Sequence, residues 1–376
     1  SRGLGDVYKR QISIQEMKKI LILLSGNILY DARVSKEIAS LRKFGYSVVL
    51  VQTHKLGENK INDYPVYVIN KQSSDNMNFT KIWEIVKFSN ELNKIIKKEN
   101  PDYIHCNDVG TLVYALRFVK TKKVVYDSHE LAIECVIGIK NKIIKYIEYY
   151  MVPYLHAIII PQIDRLRYFS FRYPKAKGKL YLLENFPTKF VTRTDDLFET
   201  ELKIKRGNRK LVLYTGALNN ERKVKELIGA IKDINELLLV LIGFSSDSYR
   251  KELEDMINQN KLEERVYILN PLPHQMIKKL AVSADIGVCF YDDPNLNSYF
   301  CASNKLYELM DSGTLVLTND TVGAMRVVRA ENGVVIPDTS VESIVTGFHK
   351  LVKLDNPPKM QFFWESQEEV LRHIYR

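Results

Sequence analysis

The chain has 376 residues, 45% of them hydrophobic and 27% charged, which is the composition of a globular protein long enough for two domains. Four cysteines without CxxC or Cys/His spacing argue against a disulfide framework or a zinc site and predict reduced thiols in a cytosolic protein. The net charge of +10 comes without a nucleic-acid-binding motif, and no apolar run approaches the ~18 residues of a transmembrane helix, so neither nucleic acid nor a membrane span is expected.

Residues 1–16 lack hydrophobic periodicity, and we set them aside as a non-native or disordered start. After them, apolar strands and amphipathic helices alternate. Strand 18–25, a turn at Gly26, a capped helix and strand 47–52 form a first βαβ unit. Further strands are predicted at 103–106, 123–127 and 156–160, with helices at about 80–99, 110–119, 139–152 and 163–171. Residues 17–190 are therefore predicted to be an N-terminal Rossmann-like domain with a parallel sheet.

Residues 191–209 are charged and weakly periodic, which predicts a linker. The alternation then restarts and predicts a second Rossmann-like domain over residues 210–360. Its strands are predicted at 211–216, 237–243, 266–269, 285–291 and 334–336, with helices at about 221–234, 247–260, 274–283 and 321–329. Residues 361–376 are predicted to form an amphipathic helix that packs back on the N-terminal domain. The predicted fold class is α/β, with two Rossmann-like domains facing across a cleft.

The segment SNKLYELMDSGTLVLTN, residues 303–319, predicts a short helix that Gly313 ends and an apolar strand after it. Lys305 and Glu308 share one face of that helix, so an ordinary i,i+3 ion pair is one interpretation. The segment also resembles the donor-binding segment of retaining GT-B glycosyltransferases of family four, the group 1 type. In that family the glutamate binds the ribose of the nucleotide-sugar donor. The resemblance implies a donor-binding role for Glu308, with Asn304 and Lys305 beside it.

The segment YTGALNNERKVKELIGA, residues 214–230, resembles the turn that holds the donor diphosphate in the same family. A glycine, here Gly216, lets the backbone approach an anion closely, and the N-terminus of the following helix offers unpaired N–H groups. The resemblance places Arg222, with Lys223 beside it, where the family has a basic residue that neutralises the diphosphate. Lys305 is expected as a second cation on that group, acting with Arg222 in catalysis. A solvated helix residue is the alternative interpretation of Arg222.

Two segments of the N-terminal half also resemble the family, and each follows a predicted strand. The turn at Gly26, which we count with the donor-binding residues, leads into a D-x-R-V segment with Arg33. The letters YDSHE are similar to the family's D-x-H-E, whose histidine contacts the donor sugar. The resemblance implies a catalytic role for His129 and places Arg33, Asp127 and Glu130 on the acceptor side. A surface arginine and a structural histidine are the alternatives.

The chain departs from the family at one position. The usual pattern is Glu-x7-Glu, whose first glutamate contacts the sugar hydroxyls, but Phe300 stands eight residues before Glu308. Asn295, Asn297 or Ser298 could replace that glutamate by hydrogen bonding. The sequence also lacks a D-x-D element for metal-bound diphosphate, so the resemblance implies a metal-independent enzyme that needs no cofactor besides its donor substrate.

These segments together predict a retaining hexosyltransferase that moves a sugar from a nucleotide-diphosphate sugar to a glycan or lipid-linked acceptor in surface polysaccharide synthesis. The N-terminal domain would then serve the acceptor, and the C-terminal domain would bind the donor. Two alternatives stay open: a nucleotide-sugar 2-epimerase on the same fold, and a catalytically degenerate partner that binds sugar nucleotides.

The positive charge is concentrated in the first half of the chain. Residues 17–190 hold 28 Lys/Arg and 16 Asp/Glu, whereas residues 191–376 hold 24 and 27. An anionic membrane surface or a phosphate-bearing acceptor would account for this asymmetry, and a solvated basic surface is the alternative. The segment 138–155 combines three lysines with isoleucine and tyrosine residues. We therefore expect a cytoplasmic enzyme that is peripheral at the inner face of the cell membrane.

Overall fold

The computed structural model of the protein describes residues 17–53, 63–70, 79–129, 131, 139–189, 197–291, 295–301, 303–355, 357 and 362–376. The chain divides into two compact units. One unit runs to Leu183 and includes Gln367–Arg376, and the other is Glu184–Ser366. Each unit is built on one parallel sheet with helices between its strands, which confirms the predicted α/β class.

The sheet of the first unit has seven parallel strands in the order β3-β2-β1-β4-β5-β6-β7. The strands are β1 (Lys19–Leu24), β2 (Ser47–Gln52), β3 (Val66–Val68), β4 (Tyr103–Asn107), β5 (Lys123–Asp127), β6 (Ala157–Ile160) and β7 (Leu180–Leu182). The helices are α1 (Ala32–Lys43), α2 (Phe79–Glu99), α3 (Asp108–Ala115), α4 (Ile139–Met151) and α5 (Ile163–Arg172). The inner strands are buried along almost their whole length because helices cover both faces of the sheet, and this explains their unbroken apolar sequences.

Helix α1 begins and ends at the residues that its sequence favours. The Asp31 side chain accepts a hydrogen bond from the Val34 N–H at 2.9 Å, which caps the first turn. Gly45, with φ +84°, lies just beyond the last turn in a conformation that glycine adopts without strain. The cap fixes the start of α1 beside the carboxyl end of β1, where the buried polar cluster of this unit lies.

The C-terminal residues pack on the first unit. Glu368 accepts a hydrogen bond from Ser40 Oγ at 2.7 Å and pairs with Lys43, both on α1. Helix α14 (Glu369–Ile374) follows, and it is shorter than the predicted helix because Trp364–Ser366 form a separate 3-10 turn before it. This end of the chain completes the buried surface over α1.

The sheet of the second unit has six parallel strands in the order β10-β9-β8-β11-β12-β13. The strands are β8 (Lys210–Thr215), β9 (Leu237–Ile242), β10 (Val266–Leu269), β11 (Ile286–Cys289), β12 (Leu315–Asn319) and β13 (Gly333–Ile336). The helices are α6 (Leu197–Thr200), α7 (Val224–Lys232), α8 (Asp247–Gln259), α9 (His274–Ser283), α10 (Leu296–Tyr299), α11 (Asn304–Asp311), α12 (Val322–Val327) and α13 (Val341–Leu351). As in the first unit, polar side chains gather where strands end, and apolar side chains fill the layers between sheet and helices.

Several elements were not predicted from the sequence. Helix α13 carries the signals of a helix, because Ser340 caps it and the side chains of Ile344, Phe348 and Leu351 are buried in the core. Strands β3 and β7 have three residues each, which is too short for a clear alternation. Helix α6 lies inside the predicted linker and buries Phe198, so its single turn is held by packing.

Candidate functional site

Two glycines of the second unit bring backbone segments into close approach where β8 and β9 end. Gly216 has φ +133°, and a Cβ built on it would lie 2.0 Å from Lys305 Nζ. A Cβ on Gly243 would lie 1.6 Å from the carbonyl oxygen of Gly216. Neither position tolerates a side chain, so the sequence places the backbone of residue 216 directly against a lysine ammonium group.

Arg222 lies in the 3-10 turn that follows Gly216 in the chain. The side chain of Asn219 accepts a hydrogen bond from the Arg222 N–H at 3.1 Å, which caps a 3-10 turn over Asn220–Arg222. Lys223 then takes a left-handed conformation, and α7 begins only at Val224, later than predicted. The Arg222 guanidinium donates to the Phe290 carbonyl at 3.2 Å and lies 4.3 Å from the ring centroid of Tyr291, a cation–π distance that fixes its plane.

Lys305 is the second cation of this region. It follows Ser303, whose hydroxyl caps α11, and its Nζ lies 5.8 Å from the ring centroid of Tyr214. Burial lowers the pKa of Lys305, and the nearby charge of Arg222 acts in the same direction. In the described part of the chain, neither Lys305 nor Arg222 has an acidic ion-pair partner. The charge of Glu308 acts in the opposite direction but makes no ion pair with Lys305, so these two neighbouring cations form a site that favours an anion.

Glu308 does not form the i,i+3 ion pair with Lys305 that one interpretation of the sequence suggested. Its Oε1 instead accepts a hydrogen bond from His274 Nε2 at 2.8 Å. Asn304 Oδ1 is buried, and no group among the described residues donates to it. Both oxygens belong to α11, so that helix presents one paired and one unpaired acceptor beside the Lys305 cation.

Other residues of the second unit that the sequence analysis associates with the donor contact residues outside the group of Arg222, Lys305, Glu308 and Asn304. Lys223 Nζ lies 4.0 Å from Glu226 Oε1, a half-buried pair near the surface of little energetic weight. The side-chain oxygen of Asn295 caps α10 by accepting from the Ser298 N–H at 2.8 Å. His274 is the residue that the sequence did not single out, although its place just after β10 was a usable signal.

In the first unit, β5 ends at a buried ion pair. Arg33 donates from Nε and Nη2 to the two oxygens of Asp127, at 2.9 and 3.1 Å, and from Nη1 to the Leu183 carbonyl at 3.0 Å. Both side chains are buried, so Arg33 is not a surface arginine. The bidentate geometry is the strong form of this contact. These two residues, expected on the acceptor side, are placed to support their neighbours rather than to meet solvent.

His129 is a partly buried member of the same network. Its Nε2 lies 3.0 Å from Asp127 Oδ2, and its Nδ1 lies 3.7 Å from Asp108 Oδ2. Burial alone would lower the pKa of His129, but the charges of Asp127 and Asp108 raise it to about 9. Burial likewise opposes ionisation of Asp127, yet the charges of Arg33 and His129 hold its pKa well below the usual range. His129 is therefore an imidazolium near neutral pH, held by a buried carboxylate.

One expected site residue of the first unit, Gly26, adds nothing to this network. A Cβ on Gly26 would meet no atom within 4 Å, so packing does not require glycine there. Glu130 lies outside the described residues. Three side chains of metal-ligating types, Glu37, His105 and Asp127, bring atoms within 4.8 Å of one another in the described part of the chain. Arg33 occupies both oxygens of Asp127, so its charge disfavours a cation there, and we assign none.

Two family models match the chain on either side of the change between units. The model for "Glycosyl transferase 4-like" matches residues 19–161, and the model for "Glycosyl transferases group 1" matches residues 198–362. A search of curated proteins found no match.

Solved structures resemble the chain over nearly its whole length. A glycosyltransferase from Rickettsia africae ESF-5 has a TM-score of 0.72 and 14% identity, over 96% of this chain and 94% of that chain. A sucrose-phosphate synthase from Thermosynechococcus elongatus has a TM-score of 0.71 and 15% identity, over 96% and 95%. HepE of Anabaena, solved with UDP and glucose, has a TM-score of 0.69 and 16% identity, over 95% and 94%. At such identities the likeness establishes the fold.

Proposed function

The chain belongs to the group 1 glycosyltransferases of the GT-B fold, and we propose that it moves a sugar from a nucleotide-diphosphate sugar to a glycan or lipid-linked acceptor. The proposal includes retention of anomeric configuration, a hexose as the transferred sugar, and a place in surface polysaccharide synthesis. HepE was solved with UDP, which supports a nucleoside diphosphate as part of the donor.

The single observation that carries the proposal is the pair of cations without an acidic ion-pair partner in the second unit. Arg222 and Lys305 lie at a glycine turn that a side chain would block, and no acidic residue described here forms an ion pair with either of them. A leaving diphosphate carries the negative charge that such a pair stabilises, and this charge grows as the bond to the sugar breaks. Glu308 and Asn304 supply acceptor oxygens on the same helix, as hydroxyl groups of a ribose require.

A metal ion is not needed in this proposal. Two side-chain cations and the backbone at Gly216 neutralise the charge of the diphosphate, which is the role of a divalent ion in other transferases. Transfer in the presence of a chelator would support this part, and loss of transfer that added Mg²⁺ restores would refute it.

The acceptor side of the proposal rests on the surface of the first unit. The α4 isoleucines Ile144 and Ile147 pack against the core, whereas Tyr146 is 74% exposed and Tyr149 is 51% exposed on the same helix. On the neighbouring surface, Lys120 Nζ lies 4.8 Å from the Tyr154 ring centroid. Exposed aromatic residues among cations suit the headgroup region of an anionic membrane, so we propose peripheral attachment and a lipid-linked acceptor. Within the described part of the chain, no helix is both long and apolar enough to cross a bilayer.

A thermal-shift screen of nucleoside diphosphates tests the proposal first. A ligand at about 100 times its dissociation constant should stabilise the protein by about 2.7 kcal/mol. UDP, ADP and GDP are compared with their monophosphates, and a diphosphate is expected to give the larger shift. No shift with any nucleotide diphosphate or sugar nucleotide would refute the donor site.

Incubation with the selected donor then separates the proposal from its two alternatives. Transfer to an added acceptor supports a transferase. Conversion of the donor alone to its 2-epimer would identify an epimerase, and binding without any turnover would identify a degenerate partner.

A further inference from the structure

Glu37 is a buried carboxyl group that the proposed reaction does not use. It lies one turn after Arg33 on α1, and in the described part of the chain no group donates a hydrogen bond to either of its oxygens. The nearest cation is the Arg33 Nε, 3.4 Å from Glu37 Oε1, but this N–H is donated to Asp127 at 2.9 Å. An ionised carboxylate without a donor at this depth would be costly.

The neighbouring histidine does not supply the missing donor. His105 Nε2 lies 3.3 Å from Glu37 Oε2, but it also lies 3.2 Å from the side-chain oxygen of Asn107. The amide nitrogen of Asn107 donates to the Leu23 carbonyl at 3.0 Å, so its oxygen faces the ring and takes the Nε2 proton. His105 Nδ1 is bonded to the Tyr375 hydroxyl. Burial lowers the pKa of His105 to about 4, so the ring is neutral and carries only that one proton.

A proton on Glu37 itself removes the need for a hydrogen-bond donor to its carboxyl group. A carboxylic acid can donate, and the neighbouring acceptor is the Asp127 carboxylate, which has an oxygen within 4.8 Å of a Glu37 oxygen and already accepts from Arg33 and His129. Burial first, and the negative charge of Asp127 second, raise the pKa of Glu37 well above its usual value, although Arg33 opposes this. Two buried carboxyl groups this close hold one proton between them.

We propose that Glu37 is a positioning residue of the glycosyl-transfer reaction: as a neutral acid it donates to Asp127 and so holds this carboxylate in place for His129. The groups that face Glu37 are Arg33 on its own helix, His105 on β4, Asp127 and His129 at the end of β5, and Tyr375 at the C-terminus. With Glu37 neutral, Asp127 is the buried anion that contacts the imidazolium among the described residues, and Arg33 balances it. This role in catalysis rests on the proposed function, whereas the protonation state does not.

Two variants of similar size separate hydrogen bonding from packing. Glu37→Gln keeps the shape and an N–H donor toward Asp127, whereas Glu37→Met keeps the volume without a donor. The thermal midpoint is measured from pH 5 to pH 9. Folded Glu37 keeps a proton that the unfolded chain releases above about pH 4.5, so the wild type loses stability as pH rises. Glu37→Gln needs no such proton, so its thermal midpoint should exceed that of the wild type by at least about 2 °C at pH 8. This difference in midpoint should grow with pH.

The second readout is the titration of His129, followed by NMR of protein with ¹⁵N-labelled histidine and assigned from the spectrum of His129→Asn. Glu37→Gln should keep the pKa of His129 near the wild-type value of about 9. Glu37→Met should raise the pKa, because Asp127 loses a donor and acts more strongly on the ring. In the transfer assay, turnover should fall on the order of 10- to 100-fold in Glu37→Met and be restored in Glu37→Gln.

Each outcome decides the proposal. A Glu37→Gln variant that is less stable than the wild type, by an amount independent of pH, would show an ionised Glu37 paired with Arg33 and would overturn it. Equal behaviour of Glu37→Gln and Glu37→Met would reduce Glu37 to a packing residue. If Glu37→Met does not fold, the midpoint and titration of Glu37→Gln still decide. Neither measurement needs enzymatic activity, so failure of the transferase assignment would be seen separately.

Discussion

Replacement of Lys305 by alanine should weaken the binding of a nucleoside diphosphate by about 10- to 150-fold. A hydrogen bond between charged groups contributes about 1.5–3 kcal/mol, and each 1.4 kcal/mol is a factor of ten in the dissociation constant. Lys305 Nζ lies where a Cβ on Gly216 would meet it, and no acidic residue in the described part of the chain forms an ion pair with it. Its full contribution is therefore available to an incoming phosphate group.

Titration calorimetry with the diphosphate chosen in the thermal-shift screen measures this effect, and the matching monophosphate serves as a reference. The loss should be larger for the diphosphate, because the monophosphate lacks the second phosphate group. Lys225→Ala is the matched control, since Lys225 is a lysine of the same unit that already pairs with Glu252 at the surface. It should bind nucleotide as the wild type does.

The ligand-free protein provides an independent check. Burial lowers the pKa of Lys305 and repulsion from Arg222 acts in the same direction, and together they outweigh the attraction of Glu308, so on balance this charge does not stabilise the unliganded protein. Lys305→Ala without nucleotide should melt no lower than the wild type, and only the shift on adding nucleotide should shrink. Unchanged affinity for the diphosphate, or an equal loss for both nucleotides, would remove Lys305 from the phosphate site.

Three other predictions test the remaining parts of the site and the surface. Glu308→Ala should cost roughly 1–3 kcal/mol of nucleotide affinity, because ribose hydroxyls would lose their acceptor, and unchanged affinity would contradict the assignment. The raised pKa of His129, about 9, gives stability that is complete below about pH 6.5 and lost as pH rises toward 9. His129→Asn should therefore flatten the fall of the thermal midpoint over this range, and an unaltered slope would show that His129 is neutral. Sedimentation with anionic vesicles at low salt should weaken in the variant Tyr146→Ser/Tyr149→Ser and persist in Phe244→Ser, an exposed aromatic of the second unit, whereas equal sedimentation would refute the proposed contact face.

The order of strands and helices could be predicted because each inner strand is a continuous apolar run closed by a turn residue. Strands β2, β5 and β10 lie at the predicted residues; β2 and β5 are buried along almost their whole length, whereas β10 is a half-buried edge strand. Strands β3 and β7 and helix α6, of three or four residues each, escaped prediction, since packing and not local pattern holds them. Helix α13 is different: its cap and its apolar spacing are visible in the sequence, and it was overlooked.

The cations of the second unit were named from the sequence, but their surroundings were not. The expected helix at Arg222 is a 3-10 turn, because Asn219 caps that turn and Lys223 reverses the backbone. The partner of Glu308 is His274, which lies 34 residues away in the chain, so no local spacing could indicate it. Contacts of this kind depend on which strand ends are neighbours in the sheet, and the sequence pattern does not fix strand order.

The first unit shows why the sequence alone could not place the side chain of Arg33. An acceptor-side residue and a surface arginine were both open interpretations, but the carboxyl ends of β1, β4 and β5 meet at one edge, where Arg33 pairs with Asp127 and His105 with Asn107. Because Arg33 and Asp127 balance each other in the interior, this pair contributes nothing to the Lys/Arg excess of this half of the chain. An anionic membrane or a phosphate-bearing acceptor would meet the other lysines and arginines where these are exposed. Arg33 and Asp127 are buried at this edge, whereas His129 and Asp108 are the partly exposed members of the network.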